Sequence, residues 1–110
     1  MFYRSNDRKF KINIRVRAHF NIPDVGRNRY RGSENLTRTV DISSFTLMQL
    51  VDFIGAEFVW GSKQYISLYR GDNGIEEIRS DEQLKKCLNV NSENGVAHIE
   101  AQINDFSGPL

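Results

Sequence analysis

Five carboxylates crowd into one short stretch of the chain: Asp72, Glu76, Glu77, Asp81 and Glu82 within "YRGDNGIEEIRSDEQL". Acids so concentrated can ligate a metal, share a proton, or present negative charge to a partner. A calcium loop needs oxygen ligands spaced around a glycine and closed by a bidentate Glu. Asp72, Asn73 and Gly74 supply only a fragment of that pattern, in a turn too tight to encircle an ion. Glu76 and Glu77 are neighbours on an expected strand and point to opposite faces, which defeats a shared acid–base role. Asp72 and Asp81 could meet in space, but nothing in the sequence shields them from water to shift a pKa. His19 and His98 lack a neighbouring His, Cys or paired carboxylate and read as exposed strand residues. Cys87, the sole cysteine, falls between Leu84 and Leu88 on an expected helical stripe and reads as a small buried hydrophobe. No nucleophile elbow, zinc-protease helix, Walker loop or dinucleotide fingerprint occurs. The expectation is a protein that is not an enzyme, with no metal, no cofactor and no small-molecule substrate.

What remains is charge. The net charge of +1 hides a division: residues 1–38 carry ten Lys/Arg against three Asp/Glu, and residues 39–110 carry five against eleven. Two interaction readings follow. In one, Arg15, Arg17, Arg27, Arg29, Arg31 and Arg38, with Tyr30 interleaved in "GRNRYRG", grip nucleic-acid phosphates while the ring stacks on a base. The near-neutral total and the lack of a second exposed aromatic weigh against it. In the other, the acids of residues 72–82 and the bases of the first strand meet complementary surfaces on other protein molecules. Against both stands the plain alternative that these charges pair with one another or merely cover a small domain.

The elements that must position these residues are well marked. In "FKINIRVRAHF", Phe10, Ile12, Ile14, Val16, Ala18 and Phe20 alternate with Lys11, Asn13, Arg15, Arg17 and His19. Period two predicts one strand over 10–20 with a buried apolar face and an exposed basic face. Pro23, Gly26 and Gly32 then break regular structure. A second strand is expected at about 36–42. Thr46 and Gln49 form a capping box, with Phe45 and Leu50 as its hydrophobic staple, opening a helix through Leu47, Leu50, Val51, Ile54 and Phe58 that Gly61 would stop. Strands are expected at 64–70 and 75–79, joined by the Asp72-Asn73-Gly74 turn. A second capping box at Ser80 and Gln83 opens a short helix, and "VAHIEAQI" (96–103) is a last strand after an Asn94-Gly95 turn.

This order predicts an α+β domain of the ubiquitin-like β-grasp kind: a mixed four- to five-stranded sheet packed on one main helix plus a short second helix. The first and last strands would run parallel at the sheet centre. At 110 residues the chain is long enough for one domain, with a core over about 10–103 and flexible tails. No apolar run approaches the roughly 18 residues a membrane span requires, and the N-terminus lacks a secretory h-region. The nucleus or cytoplasm is the expected compartment.

With those residues in view, the acidic stretch resembles the OPCA motif of Phox and Bem domains, in which an Asp-rich hairpin precedes a Ser-Asp helix start. Tyr69, Asp72, Gly74, Ile78, Ser80, Asp81, Glu82 and Leu84 fall in or near its register, while Asn73, Ile75 and Gln83 stand where acids are usual. Upstream, Tyr30, Gly32, Asp41 and Leu50-Val51-Asp52 resemble the plant variety found at the N-terminus of Mutator-like transposases, with Ser33 in place of a second Gly. The resemblance implies front-to-back assembly, homotypic or heterotypic. Asp72, Glu76, Glu77, Asp81 and Glu82 would form the acidic face, and Lys11, Arg15 and Arg17 the basic one.

Overall fold

The computed structural model describes residues 9–71, 76–90 and 95–106. Its elements are β1 (Lys9–Val16), β2 (His19–Asn21), β3 (Arg29–Arg31), β4 (Glu34–Asp41), α1 (Leu47–Glu57), β5 (Gln64–Arg70), α2 (Asp81–Val90) and β6 (Val96–Asp105). A mixed four-stranded sheet runs in the order β4-β1-β6-β5, and β2 pairs with β3 in a separate two-stranded ribbon. The fold is thus α+β, one mixed sheet with two helices. The expected parallel pairing of first and last strands is present, with Ile12, Ile14 and Val16 of β1 opposite Ala97, Ile99 and Ala101 of β6.

Alternation decides which face is buried. Phe10, Ile12, Ile14 and Val16 of β1, Val40 of β4, Leu68 of β5 and Ala97, Ile99, Ala101 and Ile103 of β6 enter one cluster with Leu50, Ile54, Phe58, Leu84, Cys87 and Leu88 of the helical layer. Both helices therefore cover the same side of the sheet. Fully burying one of these larger side chains contributes about 1.5–3 kcal/mol before ordering entropy is counted. Cys87 sits in this core as its helical spacing predicts. The other sheet face carries Lys11, Asn13 and Arg15 of β1 beside Val96, His98 and Glu100 of β6, and neither α1 nor α2 lies over it.

The capping box of α1 forms as read: Gln49 N–H donates to Thr46 Oγ1 at 3.1 Å, and Thr46 N–H donates to Gln49 Oε1 at 3.0 Å. The second box forms by half. Gln83 N–H donates to Ser80 Oγ at 3.1 Å, but Gln83 Oε1 accepts from Arg79 N–H at 2.6 Å rather than from Ser80. Gly61 does not stop α1, whose C-cap is Phe58. Its role is steric: a Cβ there would sit 2.1 Å from the Ile22 carbonyl oxygen, so only glycine admits the close passage of the 22–24 backbone. The expected strand at 75–79 reduces to a single bridge, Glu77 with Tyr69, held by Arg70 N–H to Glu76 O at 3.0 Å and Ile78 N–H to Leu68 O at 2.7 Å. Ile75, the Asp72-Asn73-Gly74 turn and Asn94 lie outside the described residues, as do both tails.

The largest departure is in the first strand. It ends at Val16 instead of running to Phe20, and the inside–outside alternation slips by one residue. Ala18 is exposed, His19 buried and Phe20 exposed. In a period-two pattern a single-residue slip exchanges the faces. Arg17 N–H still donates to Ala101 O at 2.9 Å, after which the chain leaves the sheet and pairs with β3, a segment expected to be irregular. The change of direction is fixed by the Phe58 ring. His19 lies 6.0 Å from it, and Arg31, the pairing partner of His19, places its guanidinium 4.4 Å above it. His19 is therefore a core lid, not an exposed strand residue.

Three side chains fasten this ribbon to the body. Gln64 Nε2 donates to Phe20 O at 2.7 Å and to Asp105 Oδ1 at 2.9 Å, while its Oε1 accepts from Ile22 N–H at 2.8 Å. Asp24 Oδ1 accepts from Ser62 Oγ–H at 2.7 Å and Ser62 N–H at 2.8 Å. The hydroxyl bond first, then the amide bond, lowers the Asp24 pKa from its ordinary 3.8. A carboxylate depressed in the folded state supports the fold above its unfolded pKa and loses that support as pH falls through the folded value. Ser62 amide protection from hydrogen exchange should accordingly persist at neutral pH and fall only in acid below about pH 4. In Asp24→Asn that acid-dependent step should vanish; a step of unchanged size would assign it elsewhere.

Candidate charged interface

Each charged residue singled out in the sequence has a definite place. On the open sheet face, Arg15 pairs in register with Asn35 of β4 and Glu100 of β6. It lines a groove of about 330 Å³ with Asn13, Asn35, Gly71, His98 and Glu100. Gly71 is pinned there, its N–H donating to His98 O at 2.7 Å. Arg15 and Lys11 are exposed and make no ion pair among the described residues. Arg17 differs. Its Nε donates to Glu100 Oε1 at 2.6 Å and its Nη1 to Gln102 Oε1 at 3.0 Å, and its guanidinium lies 5.7 Å from the Tyr69 ring centroid. The expected basic face is thus reduced: Arg17 is engaged within the chain, and Lys11 and Arg15 remain.

The acids divide in the same way. Glu76 Oε1 accepts from Arg70 Nη1 at 3.1 Å, and Glu77 Oε1 from Arg79 Nη2 at 2.9 Å. That contact raises the Arg79 pKa, chiefly through the hydrogen bond to Glu77. Asp81 Oδ1 accepts from Leu47 N–H at 2.7 Å, satisfying one of the open amides at the start of α1. Asp81 therefore ties the first turn of α2 to the first turn of α1. Glu82, exposed in that same turn of α2, has no hydrogen bond or ion pair among the described residues, and Lys85 and Lys86 follow it on the helix. Asp72 lies outside the described residues.

The pair made by Arg17 was hidden because it forms between strands whose register the sequence does not state, whereas Arg70–Glu76 and Arg79–Glu77 are local, six and two positions apart. Arg17 reaches Glu100 across 83 positions, and Glu100 stands in β6 opposite Tyr69 of β5. The one available signal was the cross-strand position of Glu100 on the polar face of β6. The pairs are solvent-accessible on at least one partner, a setting in which each is worth about 0–1 kcal/mol.

The remaining arginines lie elsewhere. Arg27 and Arg29 are exposed without a partner among the described residues, while Arg31 pairs with Glu34 at 3.1 Å. Arg38 lies 4.9 Å over Phe53, beside a groove of about 530 Å³ between β4 and α1 whose lining includes Val40, Asp41, Phe45 and Asp52. Exposed Phe20 and Tyr30 meet edge to face across the ribbon, with centroids 5.4 Å apart and ring planes at 66°. Phe20, expected on the buried face of the first strand, is thus an exposed aromatic beside Tyr30, and Tyr65 and Phe106 are exposed elsewhere. No group of three or more His, Cys, Asp or Glu side chains arranged to hold a metal occurs among the described residues, and no helix there is long and apolar enough to cross a membrane.

Because Asp81 holds an amide and Glu82 does not, the two acids separate by mutation. Asp81→Ala should lower unfolding free energy in urea by about 1 kcal/mol, the usual worth of a hydrogen bond. Glu82→Ala should stay within about 0.5 kcal/mol of the parent, as surface changes do. Equal losses would contradict the assigned capping role.

Compared with protein-family models, curated proteins and solved structures, the chain matches none.

Proposed function

We propose that this chain is a protein–protein interaction domain that assembles front to back through opposite charges, on a ubiquitin-like β-grasp scaffold of the Phox and Bem type. The supporting observation is the separation of Arg15 from Glu82 by the sheet itself. Arg15 stands on the face without helices, and Glu82 opens a helix whose apolar residues pack on the opposite face. The two cannot neutralise each other within one molecule, so their contact is between molecules. A contact joining different surfaces of two copies is heterologous and propagates into rings or filaments.

Lys11 and Arg15 form the basic contact, and Glu82 with the outward oxygen of Asp81 the acidic one. Arginine suits the role because its fork engages a carboxylate through two hydrogen bonds. Arg17, Glu76 and Glu77 contribute by exchanging weak internal partners for external ones. Exposed pairs are individually weak, and micromolar association requires roughly 8 kcal/mol. Several pairs with apolar contact around them are needed, and added salt weakens them.

Sedimentation velocity at low salt tests this. The parent should form concentration-dependent oligomers, and Arg15→Glu or Glu82→Lys alone should weaken association by about tenfold or more, equal to roughly 1.4 kcal/mol. An equimolar mixture of the neutralised variants Arg15→Ala and Glu82→Ala keeps one intact pair of surfaces, offers no charge-swapped second pair, and should give a dimer that grows no further. A parent that stays monomeric at high concentration, or a mixture that stays monomeric, overturns self-assembly.

A further inference from the structure

The β2–β3 ribbon projects an aromatic pair that the core does not use. Phe20 and Tyr30 are 60% and 62% exposed, side by side on the face of the ribbon turned away from His19 and Arg31. A neighbouring Phe and Tyr left in water, on a segment anchored by Gln64, Asp24 and the Gly61 passage, is a preformed surface rather than a stray side chain. Its own segment is predominantly basic, with the Asp105 carboxylate held close by through Gln64. Between residues 15 and 38 the chain holds six arginines and only two acids, Asp24 and Glu34. Both acids are already engaged, Asp24 by Ser62 and Glu34 by Arg31. Arg15, Arg27 and Arg29 are exposed with no partner among the described residues.

We infer that the β2–β3 ribbon binds single-stranded nucleic acid, with a base stacking on the Phe20/Tyr30 pair and the flanking phosphates contacted by Arg27 of the connecting loop and by Arg29, which alternation sets on the His19/Arg31 face and which reaches round the open strand edge. The occupant follows from the combination. Free guanidinium groups call for an anion, and exposed rings call for a planar π-face; an unpaired nucleotide offers both within one repeat. A duplex keeps its bases stacked on each other and leaves the rings unused. An acidic peptide satisfies the arginines and not the rings. This surface differs from the Arg15–Glu82 contact proposed above and does not depend on it.

The probes are fluorescein-labelled oligothymidylate and oligouridylate, with the annealed duplex of a mixed sequence as comparator, read by fluorescence anisotropy against the whole chain. Binding to the single strands should exceed binding to the duplex. Phe20→Ala and Tyr30→Ala should each weaken it on the order of tenfold. Because both rings are exposed, their melting curves should match the parent, so lost binding is not lost folding. Arg27→Ala with Arg29→Ala should reduce the slope of log affinity against log salt by about 0.7 per phosphate contact removed, whereas the ring variants should leave that slope unchanged. A preference between the DNA and RNA strands would show which sugar the surface favours, and either supports the inference. It is overturned if neither strand binds, if the duplex binds as well as the single strands, or if the ring variants bind like the parent. The last two results would reduce the ribbon to a general anion surface or point to a protein occupant.

Discussion

The parallel pairing of β1 with β6 is the constraint on which the rest of this structure depends. Parallel neighbours cannot be joined by a tight turn, so between Val16 and Val96 the chain must leave the sheet and cross over, adding β4 and β5 at its two edges on the way. The route deposits α1 and α2 on one side, where Ile12, Ile14, Ile99 and Ala101 are buried beneath them. Parallel strands ordinarily demand cover on both faces. Here neither helix covers the second face, where side chains lean on each other: Arg17 on Glu100, Gln102 and Tyr69, Asn104 on Ser67, Thr37 on Asn13, and Tyr65 on Phe106. Among the described residues, that face leaves the central strands without helical cover.

One-sided packing turns a division of charge along the sequence into a division in space. β1 brings Lys11 and Arg15 to the uncovered face, and α2 carries Asp81 and Glu82 to the helical side. The chain also neutralises much of its own charge. Arg17, Glu76 and Glu77 all have internal partners, and Asp81 serves the start of α1. The interface we propose is therefore narrower than a count of acids and bases suggests, and it is proposed to centre on Arg15 and Glu82. Among the described residues Arg27 and Arg29 have no such internal partner and stay exposed on the segment that carries Phe20 and Tyr30.

Much of this was legible in the residues. β5 and β6 begin where they are expected, at Gln64 and Val96, the Thr46–Gln49 box forms with both of its bonds, and Cys87 is buried where helical spacing puts it. The misreadings share a cause: local pattern does not know what the chain meets in three dimensions. Ala18 fits either face, so "RVRAHF" reads as one unbroken strand, and only the Phe58 ring, reached by His19 and Arg31, reverses its sides. Gly61 looks like a helix stop and is instead a gap left for the Ile22 carbonyl. Arg17 looks like a free base because Glu100 is remote in sequence and adjacent in the sheet. Two acids that look alike, Asp81 and Glu82, differ because one of them finds the amide of Leu47.

The central claim is that the uncovered sheet face and the start of α2 are the two ends of one intermolecular contact. Backbone amide shifts of the uniformly 15N-labelled parent, followed by NMR from dilute to concentrated solution at low salt, test it most directly. The account predicts that shifts appear together at two separated patches, around Lys11 and Arg15 and around Asp81 and Glu82, with the same concentration midpoint. Shifts confined to one patch, or spectra independent of concentration, would contradict it.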